Sequence, residues 1–195
     1  MATQDRHSVN VEDPEELACV LRCARSDPAR FSPVYAHYFP RIYGYCFVRL
    51  REPVETEDVT SAVFVSALAG LQNYRGGSFT AWLFRIARNA VVSHLRSRQS
   101  RDRSIALIHR FQQDSSAVEE QALARILADE RRQQILKLVG DLPEDMRELL
   151  ALKVSGELST KEISLILGKS EGAIRVALHR LIQRLRVAYS IYEEE

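Results

Sequence analysis

Four side chains in the stretch NYRGGSFTAWLFRIARNAVVSHLRSR (residues 73–98), which contains no Asp or Glu, suit one kind of chemistry. Arg85, Arg88, Asn89 and Arg96 fall at i, i+3, i+4 and i+11, which gathers them on one side of a helix. Guanidinium groups pair with phosphates, and a carboxamide can donate and accept at a base edge. In the loop ahead of them, Tyr74, Phe79 and Trp82 are candidate platforms for unstacked bases, each stack contributing roughly 1–3 kcal/mol. The competing role for Phe79 and Trp82 is core packing, and for Trp82 core packing is the better fit. Residues 75–110 hold eight arginines against Asp102 alone, and residues 168–186 hold Lys169, Arg175, Arg180, Arg184 and Arg186 against Glu171. Between them, residues 111–130 carry five acids against Arg125, so a formal net charge of +1 hides two separate basic faces. That segregation points to two contacts with a polyanion. No phosphate-binding glycine loop, metal-ligand cluster or nucleophile motif stands out, so no catalytic residue, metal or cofactor is expected, and no enzyme.

The elements that must position these residues are helices. Asp13-Pro14 is an acid cap followed by proline at the first helical position, which predicts a helix running to about Arg25. An aromatic-rich second helix is expected over about 31–50, kinked at Pro40. A third over about 55–71 opens with acids and buries Val59, Val63, Phe64, Ala67 and Leu71. The fourth follows Gly76-Gly77, a turn signal, with Ser78 as its cap. Its apolar stripe is Leu83, Ile86, Ala87, Ala90 and Val91. A basic amphipathic helix of this sort also suits an anionic lipid surface. The preceding helices supply packing partners, which favours burial within a domain. The polar, arginine- and glutamine-rich residues 98–116 read as a linker, and helical periodicity resumes from about Val118 to Val139. Gly140 stops that helix and Pro143 starts another. The expected fold is all-α: two small helical domains, 1–97 and 117–195, joined by a flexible linker over 98–116.

Three cysteines, an odd number, argue against a disulfide framework. Cys19 and Cys23, four apart on the first helix, are expected to be buried small apolar residues, with a redox role as the alternative. The polar, acidic N-terminus is unlike a secretory signal and no run of apolar residues is long enough to span a bilayer. The expected location is the cytoplasm, without membrane insertion.

Residues 159–186, STKEISLILGKSEGAIRVALHRLIQRLR, carry the strongest fold signal. Ser159 and Glu162 have capping-box spacing, Ile163, Ile166 and Leu167 give a buried face, and Gly168 permits a tight turn. Ser170 caps a second helix, in which Ile174, Leu178, Leu181 and Leu185 keep the apolar spacing and Arg175, His179, Arg180 and Arg184 lie elsewhere on the wheel. Short helix, glycine turn and longer basic helix is the layout of a helix-turn-helix, whose second helix enters the major groove.

The run EDVTSAVFVSALAGLQNYRGGSFTAWLFRIARNAVVSHLR resembles the second region of the extracytoplasmic-function (ECF) sigma factors of bacterial RNA polymerase. The run LPEDMRELLALKVSGELSTKEISLILGKSEGAIRVALHRLIQRLR resembles their fourth region, and the two together cover about residues 30–98 and 117–187. The resemblance implies a protein that binds core RNA polymerase and directs promoter-specific initiation. Its first domain would hold the polymerase core through Asp58, Val59 and Phe64. It would also read melted −10 DNA through Asn73, Tyr74, Arg75, Ser78, Phe79, Arg85, Arg88 and Asn89. The second domain would read the −35 duplex through Lys169, Ser170, Arg175, His179 and Arg180. Implied partners are polymerase core, promoter DNA and an anti-sigma factor. The chain departs from the family pattern at Thr60-Ser61-Ala62, at Ala173 and at Val176-Ala177. Two other readings stay open: a helix-turn-helix regulator acting without polymerase, and a sigma-like protein that sequesters a regulator.

Overall fold

The computed structural model describes residues 9–106 and 135–193. Every regular element among them is helical. The first helix, α1 (Pro14–Ala24), is capped by Asp13, whose Oδ1 accepts from the amides of Glu15 (2.7 Å) and Glu16 (3.2 Å). A 3₁₀ turn at Pro28–Phe31 leads into α2 (Ser32–Leu50). Along α2, Val34, Tyr38, Ile42, Tyr45 and Arg49 recur at helical spacing, and all five are buried. Pro40 lies on the exposed side, and the helix continues through it. The next helix, α3 (Pro53–Gly70), starts two residues earlier than expected. Pro53 occupies its first turn and the Glu52 carboxylate accepts from the Glu55 amide at 2.6 Å. Its stripe of Val59, Val63, Phe64 and Ala67, continued by Leu71, is buried as the periodicity predicts. Ser78 begins α4 (Phe79–Ala106), its Oγ accepting from the Ala81 amide at 3.1 Å. Leu83, Ala87 and Val91 of the predicted stripe are fully buried, joined by Phe84, while Ile86 and Ala90 are half-buried.

The helix α4 does not end where the linker was expected at 98; it continues to Ala106. Glu55 on α3 supports the extension: its Oε2 accepts from Arg98 Nη1 at 3.1 Å and lies 3.2 Å from His94 Nε2. The rest of the expected linker, the acidic run at 111–130 and the start of the helix from Val118 lie outside the described residues.

The chain is helical over 135–140 and turns after Gly140, as expected. Then come α5 (Glu144–Leu150), a π-helical turn at Ala151–Ser155, α6 (Thr160–Leu167) and α7 (Glu171–Glu193). The capping box forms: Ser159 N donates to Glu162 Oε2 (2.9 Å) and Glu162 N to Ser159 Oγ (3.2 Å). Gly168 ends α6 in the left-handed region at φ 65°, and Ser170 Oγ accepts from the Ala173 amide at 3.2 Å. These helices bury Leu149, Leu152, Leu158, Ile163, Ile166, Ile174 and Leu181.

The two helical domains share one contiguous core, with the π-helical turn packed on α2 and α6 packed on α4. Gly156 makes this approach possible. A Cβ there would lie 2.7 Å from Leu152 O and 2.9 Å from Phe84 Cε1. Its carbonyl accepts from Arg41 Nε (3.1 Å) and Nη2 (2.6 Å), and that guanidinium also lies over the rings of Tyr38 and Phe84.

The cysteines correct one expectation. The inner face of α1 is Leu17, Leu21 and Ala24, at i, i+4 and i+7, so Cys19 and Cys23 fall on its exposed side. Cys46 on α2 is the buried thiol, and burial pushes its pKa up to about 11. At about pH 8 a thiol reagent should therefore titrate two cysteines quickly and the third only when denaturant is added. Three fast thiols would contradict the packing of α2. Gly156→Ala should cost about 1–3 kcal/mol of overpacking, measured as a lower midpoint in denaturant unfolding.

Candidate nucleic-acid interface

The loop from Leu71 to Ser78 is built to hold its shape. A 3₁₀ turn at Leu71–Asn73 is followed by two glycines at φ 97° and 89°, values that side-chain-bearing residues avoid. Tyr74 OH donates to Gly77 O at 2.7 Å and closes the loop. From the C-terminal end of α1, Arg25 Nη2 donates to Tyr74 O at 2.6 Å, and Gln72 Nε2 returns a bond to Arg25 O at 2.8 Å. The Tyr74 ring packs on Phe79 and Trp82, with centroids 5.6 and 5.2 Å apart.

This arrangement corrects part of the sequence reading. Phe79 is 3% exposed, edge-on to Tyr38, and has no face to offer a base. Tyr74 and Trp82 are half-buried, with their rings committed to the same aromatic group. The loop's exposed side chains include Asn73, Arg75 and Ser78. On α4, Arg85 and Asn89 are exposed and Arg88 is half-buried, all opposite the stripe that packs on α2 and α3.

Three of these residues are engaged by the C-terminal helices. Ser78 Oγ bonds Glu162 Oε1 at 3.2 Å, Arg85 Nη2 donates to Leu165 O at 3.1 Å, and Arg88 Nε meets Glu148 Oε1 at 2.8 Å. Glu148 is shared. Its Oε1 also lies 3.3 Å from Nη1 of Arg49, whose side chain is 2% exposed, and Glu144 bonds the same guanidinium through Nη2. Arg49, Arg88, Arg96 and Arg98 thus line a cleft of about 580 Å³ with the two glutamates. Sequence reading missed Arg41, Arg49, Glu144, Glu148 and Glu162 as a group. Two signals were present: a charge at a buried position of the α2 stripe, and two like charges at i and i+4 on α5 that need a shared cation.

The second basic surface is open. Lys169, Ser170, Arg175, His179 and Arg180 are all exposed, as the sequence predicts, while Ile174 and Leu181 anchor α7 from beneath. Val176, 51% exposed, stands among them on the outward face. The Ser170 hydroxyl is already occupied as a helix cap.

Of the residues expected to meet polymerase, Asp58 is exposed, but Val59 and Phe64 are 5% and 4% exposed and belong to the core. The α3 stripe that packs on α2 includes both, so neither side chain faces outward. Thr60 is also buried, so the departure from the family pattern at 60 concerns packing, whereas Ser61 and Ala62 lie at the surface. Over Phe64 lie Tyr35 and Phe39, with centroids 4.6 and 6.4 Å away and exposures of 44% and 36%.

Residues 34–101 match the family model for Sigma-70 region 2, and residues 132–185 match that for Sigma-70, region 4. The ECF RNA polymerase sigma factor ShbA of Streptomyces griseus is 35% identical over 180 residues, covering 87% of this chain and 92% of ShbA. The ECF RNA polymerase sigma factor SigD of Mycobacterium tuberculosis is 32% identical over 178 residues, covering 87% of this chain and 81% of SigD. The fold is shared with the sigma factor RpoE of Bartonella quintana, solved in complex with the anti-sigma factor NepR. That likeness has a TM-score of 0.65 at 20% identity and covers 83% of this chain and 97% of RpoE. Both family models and these relatives identify the chain, which belongs to the ECF sigma factors of bacterial RNA polymerase.

Proposed function

We propose a division of labour within this sigma factor. Residues 1–97 hold the polymerase core and read a melted −10 element, and residues 117–195 read the −35 element as duplex. As a sigma factor, the chain binds core RNA polymerase and directs promoter-specific initiation, and it is a DNA-recognition subunit rather than an enzyme. The observation that carries the division is the chemical difference between the two basic surfaces. One is a loop pinned by Tyr74 and Arg25 beside Arg85, Arg88 and Asn89, a shape suited to a single strand threaded past fixed donors. The other is the protruding second helix of a helix-turn-helix, suited to a major groove.

At the −10 strand, Asn73, Arg75, Ser78 and Asn89 supply polar contacts and Arg85 and Arg88 neutralise phosphates. Tyr74, Phe79 and Trp82 set the loop's shape. At the −35 duplex, Lys169, Arg175, His179 and Arg180 reach phosphates and bases, while Val176 offers apolar contact to a thymine methyl. Polymerase meets Asp58 together with the exposed rings of Tyr35 and Phe39, with Val59 and Phe64 as the packed support behind them. No helix among the described residues is long and apolar enough to cross a membrane. The cytoplasm is the proposed place of action, and an anti-sigma factor is a proposed further partner, since RpoE of the same fold was solved with one.

Transcription with purified core polymerase tests the assignment. Added sigma should give transcripts from cognate promoters, and absence of core binding in a pull-down would sink the reading. Arg85→Ala and Asn89→Ala should each weaken promoter opening by roughly 1–3 kcal/mol, about 5- to 160-fold, with little change in core affinity. Equal loss of both activities would point to misfolding. Arg175→Ala and Arg180→Ala should each lower the salt slope of −35 duplex binding by about one. An unchanged slope would move the duplex-reading surface elsewhere.

A further inference from the structure

We propose that Cys19 and Cys23 form a two-thiolate site for a soft monovalent metal ion of the copper(I) class. The two residues stand four apart on α1, about one turn from each other, and both are exposed. The packing of the helix makes no use of them, because Leu17, Leu21 and Ala24 carry its inner face. Cys46, the third thiol, is buried in α2 and does not compete for an ion arriving from solvent. The site shares no residue with the surfaces assigned to promoter DNA, so it stands or falls independently of that assignment.

Spacing decides what the pair can do. Residues four apart on a helix have Cβ atoms about 5–6 Å apart, whereas a disulfide needs about 3.5–4.5 Å. Forming one here would mean unwinding the last turn of α1, and that turn is pinned. The Cys23 carbonyl accepts from the amides of Ser26 (3.2 Å) and Asp27 (3.0 Å), and Arg25 is bonded to both Tyr74 and Gln72. An ion between the sulfurs needs no such movement. Two metal–thiolate bonds of about 2.3 Å in line span about 4.6 Å, within reach of side chains rising from those Cβ positions. A structural zinc ion takes four ligands, and among the described residues no three His, Cys, Asp or Glu side chains are grouped to hold a metal. Thiolate softness selects copper(I), for which two ligands suffice. Entry of the ion releases one proton from each thiol and moves no electron, leaving a bis-thiolate complex of charge −1. Arg22, exposed and three residues after Cys19, supplies the matching positive charge. The filled site cross-links the turn from which Arg25 holds Tyr74.

Anaerobic titration of the full chain with copper(I), in competition with bicinchoninate, tests the site. The expected result is one ion per chain, with a thermal midpoint that rises as the site fills. Cys19→Ser and Cys23→Ser should each lower the affinity at least a hundredfold. The double variant Cys19→Ser/Cys23→Ser, which keeps Cys46, should bind no copper. Both positions are exposed, so these replacements leave the fold intact, which an unchanged metal-free midpoint checks. Cys19→Ser/Ala18→Cys keeps two thiols on α1 but sets them about 140° apart around the helix axis. It should bind as weakly as the single variants. Wild-type affinity in a single variant or in the shifted pair would overturn the proposal. So would one ion shared between two chains in sedimentation, since the site is complete within one chain.

Discussion

Arg49 places a positive charge in the stripe of α2 that otherwise buries Val34, Tyr38, Ile42 and Tyr45. A guanidinium 2% exposed needs carboxylates, and leaving such a charge without a partner costs on the order of 3–5 kcal/mol. The partners come from α5, about a hundred residues on. Glu144 is 59% exposed, so water screens much of its contribution; Glu148 is 13% exposed and carries more of the compensation. Meeting this requirement sets α5 against α2. The π-helical turn then lies over Gly44, the Gly156 carbonyl meets Arg41, and α6 comes down on α4.

The same docking decides which nucleic-acid surface is open. Glu148 Oε1 lies 3.3 Å from Arg49 Nη1 and 2.8 Å from Arg88 Nε, and both guanidinium groups border one cleft. The face of α4 proposed to read the −10 strand is thereby drawn into the joint between the domains, while the outward side of α7 is left out of it. The protein thus presents its two basic surfaces unequally. The asymmetry follows from where the acids of α5 and α6 fall, not from any difference in the strength of the two basic patches.

Local features were legible in the chain because they depend on neighbours within a few residues. Asp13, Ser78, Ser159 and Ser170 cap helices because each side-chain oxygen reaches an amide two or three residues ahead. The stripes of α3 and α4 and the buried side of α7 follow from apolar residues recurring at helical spacing. Assigning individual residues to roles was less secure wherever a helix had more than one neighbour. Phe79 read as a platform for bases because it begins a basic helix beside a glycine turn, yet Tyr38, Tyr74 and Trp82 enclose it. Cys19 and Cys23 read as buried because cysteine usually is, but Leu17, Leu21 and Ala24 had already fixed the inward face of α1.

The sequence by itself determined an all-α chain with a helix-turn-helix at its C-terminal end, two basic surfaces and the family whose regions 2 and 4 they resemble. Periodicity, caps and charge segregation are one-dimensional signals that survive without coordinates. Tertiary structure alone decided that Glu148 is shared by Arg49 and Arg88, that the capping-box Glu162 also bonds Ser78, and that Val59 and Phe64 lie behind the surface. Pairings between residues 60 to 99 positions apart depend on how whole helices dock, and helical spacing records which face is apolar but not which partner will cover it.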